Sequence, residues 1–227
     1  MKIFYRIVIL LITFLLLTTF NPSEIDFFPK KSKNYFSINK IEIINNNLIS
    51  KNDINKKLKH VYKKNILFID KKQIVEPLKT IDFLDKIKVK KKYPNTILIT
   101  IFETKPVGIL YKNNNKYFLD DLSNLYNYEE DKFSYFLPNI IGENGEKQFM
   151  NLYSKLEKLN FPKEKIKNYY YFQINRWDLE FLKGQLIKLP AEKIDKAIEK
   201  SIEIINQKEF QNYKVIDLRI DGKIITE

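Results

Sequence analysis

The stretch FLDKIKVKKKYPNTILITIFE, residues 83–103, predicts two β-strands joined by a tight turn. In the second strand, Ile97, Ile99 and Ile101 alternate with the residues between them, a period of two that is typical of a strand with one buried face. The first strand is rich in lysine, which commonly keeps an exposed sheet edge from pairing with other chains. We therefore predict an exposed edge in this strand, formed by Lys88, Lys90, Lys91 and Lys92.

One more strand and two short helices are predicted ahead of this pair. The segment FSINKIEIINN, residues 36–46, alternates polar and apolar side chains and is interpreted as a half-buried strand. Ser50 with Asp53, and Asp70 with Gln73, are typical of helix starts. The resulting order, β-α-α-β-β over residues 36–104, predicts a small mixed sheet with two helices on one face.

The remainder of the chain, residues 105–227, predicts a second domain of the α+β class that is dominated by antiparallel sheet. Successive short strands are separated by Asn-rich and Asp-rich turns, and the segment around Pro138 and Gly142 is interpreted as a loop. The turn at Asp221-Gly222 predicts a last short strand that folds back on the one before it. Amphipathic patterns predict two helices, at residues 146–159 and 191–207.

The first twenty residues, MKIFYRIVILLITFLLLTTF, predict a transmembrane anchor. An uncharged apolar run follows Lys2 and Arg6, and no small-residue cleavage site comes after it, which favours an uncleaved anchor over a cleavable signal peptide. The predicted layout is a cytoplasmic segment at 1–6, an anchor at 7–20 (3–20 when Ile3 to Tyr5 are counted), and a tether at 21–35.

The net charge of +12 comes almost entirely from lysine, because only Arg6, Arg176 and Arg219 are arginine. Base and phosphate recognition favours the planar guanidinium group, so this composition argues against a nucleic-acid partner. A solvated basic surface is the simplest interpretation, and membrane headgroups or an acidic wall polymer are the alternative partners. The chain contains no cysteine, which excludes disulfide and thiolate chemistry.

No set of residues predicts catalysis, a metal or another cofactor. His60 is the only histidine and has neither a nucleophile nor an orienting acid near it in sequence, so a surface or capping role is favoured. The acidic run Glu129 to Asp131 lacks the alternating oxygen ligands and the glycine of a calcium loop. A wall-cutting glycosidase would need two carboxylates held across a cleft, and the sequence singles out no such pair.

Several runs, taken together, resemble the FtsQ/DivIB family of bacterial division proteins, whose members carry a POTRA domain. The FtsQ-type POTRA domain is resembled at residues 41–54, 65–70 and 84–110. NRWDLEFLKGQLIKLP at 175–190 is similar to the family's Arg-Trp strand and glycine turn, and VIDLRIDGKII at 215–225 to its Val-Asp-Leu-Arg strand. The chain departs from the family at Thr104, where a basic residue is common, and at Ile220, where a tyrosine is frequent.

The resemblance implies a non-catalytic scaffold of the division machinery, held in the inner membrane by a single pass and concentrated at the septum. Its cytoplasmic N-terminus would be short and the bulk of the chain periplasmic, which fits the FtsQ form. The implied partners are FtsL-type and FtsB/DivIC-type bitopic proteins, through which the scaffold would regulate the septal peptidoglycan synthase complex. The lysine edge of the POTRA-like domain would help to localise the protein.

The resemblance also implies where a partner docks. An FtsB/DivIC-type partner would add a strand at the docking edge between Val215 and Ile225, whose contact residues would be Val215, Asp217, Leu218, Arg219, Ile220, Gly222 and Ile224. Arg219 is equally consistent with an intramolecular salt bridge. The strand with Arg176 and Trp177 is a possible second surface, although core packing is favoured for Trp177.

Two other functions stay open at this point. A POTRA-bearing outer-membrane assembly or secretion factor would usually carry tandem POTRA units or a barrel. An enzyme acting on the cell wall would need a catalytic set that the sequence does not offer.

Overall fold

The computed structural model describes residues 2–19 and 35–227, which divide into two compact units. Of the described residues, the first unit comprises 2–19, 35–44, 51–79 and 88–100. The second unit comprises residues 45–50, 80–87 and 101–227. The predicted tether lies outside the described residues except for Tyr35.

Helix α1 (Lys2–Thr19) occupies most of the segment predicted as an anchor. No helix within the described residues is long and apolar enough to cross a membrane, so a transmembrane helix is not among the described elements. The uncharged part of α1, residues 7–19, is about 20 Å long at 1.5 Å per residue, against about 30 Å of hydrocarbon. Phe20, the last residue of the predicted anchor, lies outside the described residues.

A three-stranded sheet with two short helices confirms the small α+β arrangement predicted from the sequence. Its elements are β1 (Lys40–Ile44), α2 (Lys51–Lys57), α3 (Lys71–Val75), β2 (Leu84–Lys92) and β3 (Thr96–Glu103). The strand order is β1-β3-β2, and β1 runs parallel to β3 with Ile43 opposite Ile99. Ile97 and Ile99 are fully buried, as their alternation predicts, and the side chain of Asp70 caps α3 by accepting the Lys72 N–H.

The second unit is built on a nine-stranded sheet with the order β12-β11-β10-β9-β8-β7-β4-β5-β6. Helices α4 and α5 pack onto it and share one hydrophobic core with its strands. The elements in chain order are β4 (Pro106–Lys112), β5 (Asn115–Asp120), β6 (Leu125–Asn127), β7 (Asn139–Ile141), α4 (Gly145–Lys158), β8 (Ile166–Phe172), β9 (Arg176–Phe181), β10 (Leu186–Lys188), α5 (Ile194–Ile205), β11 (Val215–Asp217) and β12 (Ile225–Thr226).

This sheet is more mixed than the sequence predicts. The segment interpreted as a loop contains β7, which pairs in parallel with both β4 and β8. Strands β10 and β11 are parallel as well. Parallel neighbours need a crossover connection, and α4 supplies it between β7 and β8 while α5 supplies it between β10 and β11.

The core of the second unit is centred on three aromatic residues from three different elements. Phe149 of α4 meets Tyr169 of β8 and Trp177 of β9 at centroid distances of 5.0 and 6.0 Å, in edge-to-face geometry. All three are buried, together with Ile198 of α5 and Ile187 of β10. Trp177 therefore has the core position that the sequence analysis favours.

Gly142 provides the first testable prediction. Its φ of +134° suits glycine, and a Cβ there would lie 2.3 Å from the carbonyl oxygen of Tyr171. Gly142→Ala should therefore destabilise the second unit by about 3 kcal/mol, because a backbone oxygen cannot move aside cheaply. Urea unfolding followed by fluorescence measures it, since Trp177 is the only tryptophan and is buried in this unit.

Gly145→Ala is the control, because its Cβ would have no neighbour closer than 3.4 Å. It should leave the free energy of unfolding within about 0.5 kcal/mol of that of the parent. Equal midpoints for the Gly142 and Gly145 variants would contradict the close approach of Gly142 to Tyr171.

A candidate docking edge at the end of the large sheet

Strand β12 forms one outer edge of the nine-stranded sheet. It pairs antiparallel with β11, with Thr226 opposite Ile216 and Ile225 opposite Asp217. The pairing continues at Glu227, whose N–H donates to the carbonyl of Val215 at 3.0 Å. The other side of Ile225 and Thr226 has no neighbouring strand in the described part of the chain, so it can accept one.

The predicted docking strand differs from the observed edge. Val215 and Asp217 lie in β11, which pairs with β10 on one side and β12 on the other, and Leu218 is buried. Their main chain is therefore not the free edge, which belongs to Ile225 and Thr226. The sequence could not reveal this, because strand order depends on pairing between distant segments.

A tight turn connects β11 to the edge and exposes two isoleucines. Gly222 has a φ of +74°, and the Lys223 N–H donates to the Ile220 carbonyl at 3.1 Å, which confirms the predicted Asp221-Gly222 turn. Ile220 is 52% exposed and Ile224 is 45% exposed. The Lys193 Nζ lies 2.5 Å from the Asp221 carboxylate, which ties the turn to the start of α5 and lowers the pKa of Asp221.

Beside this turn is a groove of about 830 Å³. It lies between the N-terminal half of α5, the β8–β9 hairpin and residues 218–224. Its apolar lining includes Ile174, Leu218, Ile220 and Ile224, of which Ile174 is 66% exposed. Its charged lining is mostly basic: Arg176, Lys193, Lys196, Lys200, Arg219 and Lys223, against Glu192 and Asp221. The groove is thus suited to a partner segment that is both apolar and acidic.

Arg219 is held within the chain by Asp217. Its Nε donates to both carboxylate oxygens at 2.8 Å, and Nη2 also pairs with Oδ2. These hydrogen bonds lower the pKa of Asp217 and raise that of Arg219. The structure therefore shows the intramolecular salt bridge that the sequence analysis left open, with the Arg219 side chain still 40% exposed.

Asp178 on β9 is a buried carboxylate that the sequence analysis did not single out. Lys188 lies directly opposite it on β10, and Asp217 lies opposite Lys188 on β11. The Arg176 Nε is 3.4 Å from Asp178 Oδ1 without a hydrogen bond, and Oδ1 has no hydrogen-bond partner among the described residues. Burial raises the pKa of Asp178 against the lowering influence of Arg176, Lys188 and Arg219.

The other residues named from the sequence lie elsewhere. Trp177 is in the core, so of the pair Arg176 and Trp177 only the half-buried Arg176 reaches the groove. The lysine edge is strand β2, an outer strand of the small sheet. Lys88, Lys90 and Lys92 are exposed, Lys92 pairs with Glu42 at 2.7 Å, and Lys91 donates to the Leu67 carbonyl at 3.1 Å.

The groups considered for catalysis are not gathered into a site. The two ring nitrogens of the exposed His60 lie 3.1 and 3.0 Å from the carbonyls of Lys57 and Gln73. Glu129 pairs with Lys132. Within residues 2–19 and 35–227 no three His, Cys, Asp or Glu side chains are grouped so that they could hold a metal ion.

Comparison with known proteins defines the class of this chain. Residues 36–104 match the family model for a POTRA domain of the FtsQ type, and residues 109–219 match that for the C-terminal region of the cell division protein FtsQ/DivIB. The class is therefore a POTRA domain followed by the sheet domain of these division proteins. The chain belongs to the FtsQ/DivIB family.

Curated relatives agree with this family. The chain is 30% identical over 158 residues to the cell division protein FtsQ of Rickettsia bellii, and 32% identical over 157 residues to that of Rickettsia prowazekii. These alignments cover 68% and 66% of this chain. They cover 58% and 57% of the relatives, so the chain matches less than two thirds of their length.

Asp178 gives a prediction for pH dependence. Its folded-state pKa is raised above the unfolded value of about 3.9, so the folded state binds the proton more tightly. The contribution of this group to stability therefore falls as the pH rises from the unfolded pKa through the folded pKa. Asp178→Asn should raise the urea midpoint relative to the parent at pH 7, and the gain should shrink towards pH 4.

The exposed Glu130 provides the control, since Glu130→Gln removes one negative charge without changing a buried group. Its effect should be small at both pH values. A lower midpoint for Asp178→Asn than for the parent at pH 7 would mean that Arg176 and Lys188 outweigh the cost of burial.

Proposed function

We propose that the chain is a non-catalytic scaffold of the bacterial division machinery that recruits other division proteins through the docking edge. The observation that carries this proposal is the unpaired edge of β12 next to a basic, apolar groove. Membership of a family of cell division proteins supports the division role. Recruitment needs binding surfaces and no catalytic groups. The β12 edge offers main-chain hydrogen bonds, and the adjoining groove offers apolar and basic side chains.

The partner would add a strand to β12 and lay an acidic, apolar segment into the groove. Main-chain hydrogen bonds at a sheet edge supply affinity, and pockets for side chains supply specificity. The exposed Ile220 and Ile224 would become buried, and Lys196 and Lys223 would face acidic side chains. A bitopic protein of the FtsB/DivIC type is the proposed occupant, with an FtsL-type protein in the same complex, through which the septal peptidoglycan synthase would be regulated.

Attachment to the inner membrane through the N-terminal segment is part of the proposal, together with septal localisation and a periplasmic main body. The apolar side chains of α1 support attachment to lipid, because most of those between Phe4 and Leu17 are exposed, with Leu10 at 69% and Leu17 at 77%. Arg6 and Lys2 would then lie at the cytoplasmic surface. Flotation of the full chain with vesicles tests the attachment.

The docking edge is tested by Ile220→Glu. A carboxylate there would be buried against an acidic partner, so binding of the FtsB/DivIC-type protein should weaken by roughly 2 kcal/mol or more, about 30-fold. The measurement is a titration of the full chain with the periplasmic part of the partner from the same cell.

Leu182→Glu is the control, because Leu182 is also 52% exposed but lies in the β9–β10 turn, outside the groove. It should leave the affinity unchanged. Undiminished binding by a folded Ile220→Glu variant would move the interface away from this edge. Filamentous cells after depletion of the protein would support the division role itself, and leakage of the envelope without a division defect would count against it.

A further inference from the structure

A short turn in the first unit exposes two apolar side chains at its tip. The segment Ile66-Leu67-Phe68-Ile69 follows α2 and precedes α3. Ile66 and Ile69 are buried at 0% and 5% exposure, whereas Leu67 is 44% exposed and Phe68 is 84% exposed. Phe68 has the highest exposure among the large apolar side chains in the described part of the chain. We name Leu67 and Phe68 the apolar tip.

The tip is held in a defined geometry. The side chain of Asn65 accepts the Leu67 N–H at 2.9 Å, and its carbonyl accepts the N–H groups of Phe68 and Ile69 at 3.3 and 3.1 Å. The buried Ile66 and Ile69 fix the two ends of the turn in the core. The exposure of Phe68 is therefore built into the fold and costs hydration free energy unless something covers it.

Three lysines lie close to the tip in sequence or in space. Lys71 and Lys72 follow it in the first turn of α3, and Lys91 of β2 donates to the Leu67 carbonyl at 3.1 Å. Residues 59–75 contain five lysines and a single acid, Asp70. The Asp70 carboxylate accepts the Lys72 N–H at the start of α3. No ion pair is formed by Lys71 or Lys72 within the described residues, so their charges are available to an anionic surface.

We propose that the apolar tip and its lysines form a second membrane contact, which inserts into the headgroup region of an anionic bilayer. An exposed aromatic and a leucine ringed by lysines are what an interfacial contact requires, because the apolar groups enter the acyl boundary and the ammonium groups meet lipid phosphates. A protein partner would be expected to offer a pocket for Phe68 and acidic groups for several separate lysines. An anionic bilayer offers an apolar boundary for Phe68 and phosphates for all of the lysines over one continuous surface. We therefore favour the bilayer over a protein partner.

The contact would fix the orientation of the first unit relative to the membrane. This membrane contact rests on the proposed attachment through α1 in one respect, because α1 would bring the tip near a bilayer. The two ideas fail differently: loss of flotation with vesicles refutes the attachment, whereas flotation with a solvent-exposed tip refutes the contact.

The experiment uses the full chain with Leu67→Cys, labelled with an environment-sensitive fluorophore. The chain contains no other cysteine, so the label has one position, and Phe68 stays in place. The protein is bound to vesicles of phosphatidylcholine alone or with one third phosphatidylglycerol. The label should shift to shorter wavelength on the anionic vesicles only, and 1 M salt should reverse the shift because charge interactions are then screened within about 3 Å.

Two variants in the labelled chain identify the contact. Lys71→Gln with Lys72→Gln should reduce insertion of the tip by roughly 30-fold, from about 1 kcal/mol for each lysine near an anionic surface. Phe68→Ser should abolish the shift while leaving flotation intact. The control is Lys88→Gln with Lys90→Gln, which removes the same charge from residues of β2 that alternate with Lys91 and so point to the other face of the sheet.

The control should insert like the parent. An unshifted label on anionic vesicles would overturn the proposal, as would an unchanged shift in Phe68→Ser or an equal loss in both lysine pairs. Capture of a division protein that depends on Phe68, without any shift on vesicles, would also overturn it in favour of a protein partner.

Discussion

The burial of one face of the nine-stranded sheet beneath α4 and α5 is the constraint on which the second unit depends. Phe149, Tyr169 and Trp177 meet there, and each buried aromatic side chain contributes about 1.5–3 kcal/mol. The Tyr169 hydroxyl has no hydrogen-bond partner in the part of the chain that the structure describes, and burial raises its pKa well above the usual range. An unpaired hydroxyl costs about 1–3 kcal/mol. The core thus tolerates this cost because the ring burial outweighs it.

Burial of that face decides what the opposite face and the edge can offer. Since side chains alternate along a strand, fixing Trp177 and Leu179 in the core places Asp178 and Glu180 on the other side of β9. Tyr170 and Asn168 satisfy Glu180 at 2.6 and 2.7 Å, so that part of the face is closed by internal hydrogen bonds. Oδ1 of Asp178 accepts no hydrogen bond from the described residues. At this end of the sheet the free main-chain groups lie at β12. The crossover through α5 brings β11 into the interior of the sheet, and the last strand returns outside it.

Elements with a strong local pattern could be predicted from the sequence, and elements defined by distant pairing could not. β3 and α5 have clear periodicities of two and 3.6, and the Asp221-Gly222 turn requires a residue that adopts positive φ. β7 has three residues between a proline and a glycine, which is too short for a period to be visible. Its pairing with β4 and β8 and the burial of Ile140 in the core stabilise it, and neither can be read from the local sequence. The groove combines residues from the β8–β9 hairpin, α5 and residues 218–224. No local pattern in the sequence could therefore indicate that Ile174 and Lys196 line the same groove.

The lysines of this chain divide by whether an acid neutralises them. Lys92 pairs with Glu42, Lys112 with Glu146 and Lys155 with Asp195, so acids within the fold largely neutralise the charge of these lysines. Hydrogen bonds from Lys40 and Lys92 lower the pKa of the Glu42 carboxyl to about 2. Pairs near the surface, such as these, add little stability, because water and salt screen the attraction. Two surfaces combine lysines that form no ion pair within residues 2–19 and 35–227 with exposed apolar side chains. They are the groove, with Lys196 and Lys223 near Ile220, and the apolar tip, with Lys71 and Lys72 close to Phe68 in sequence. A partner that approaches either surface would therefore meet positive charge and apolar contact together.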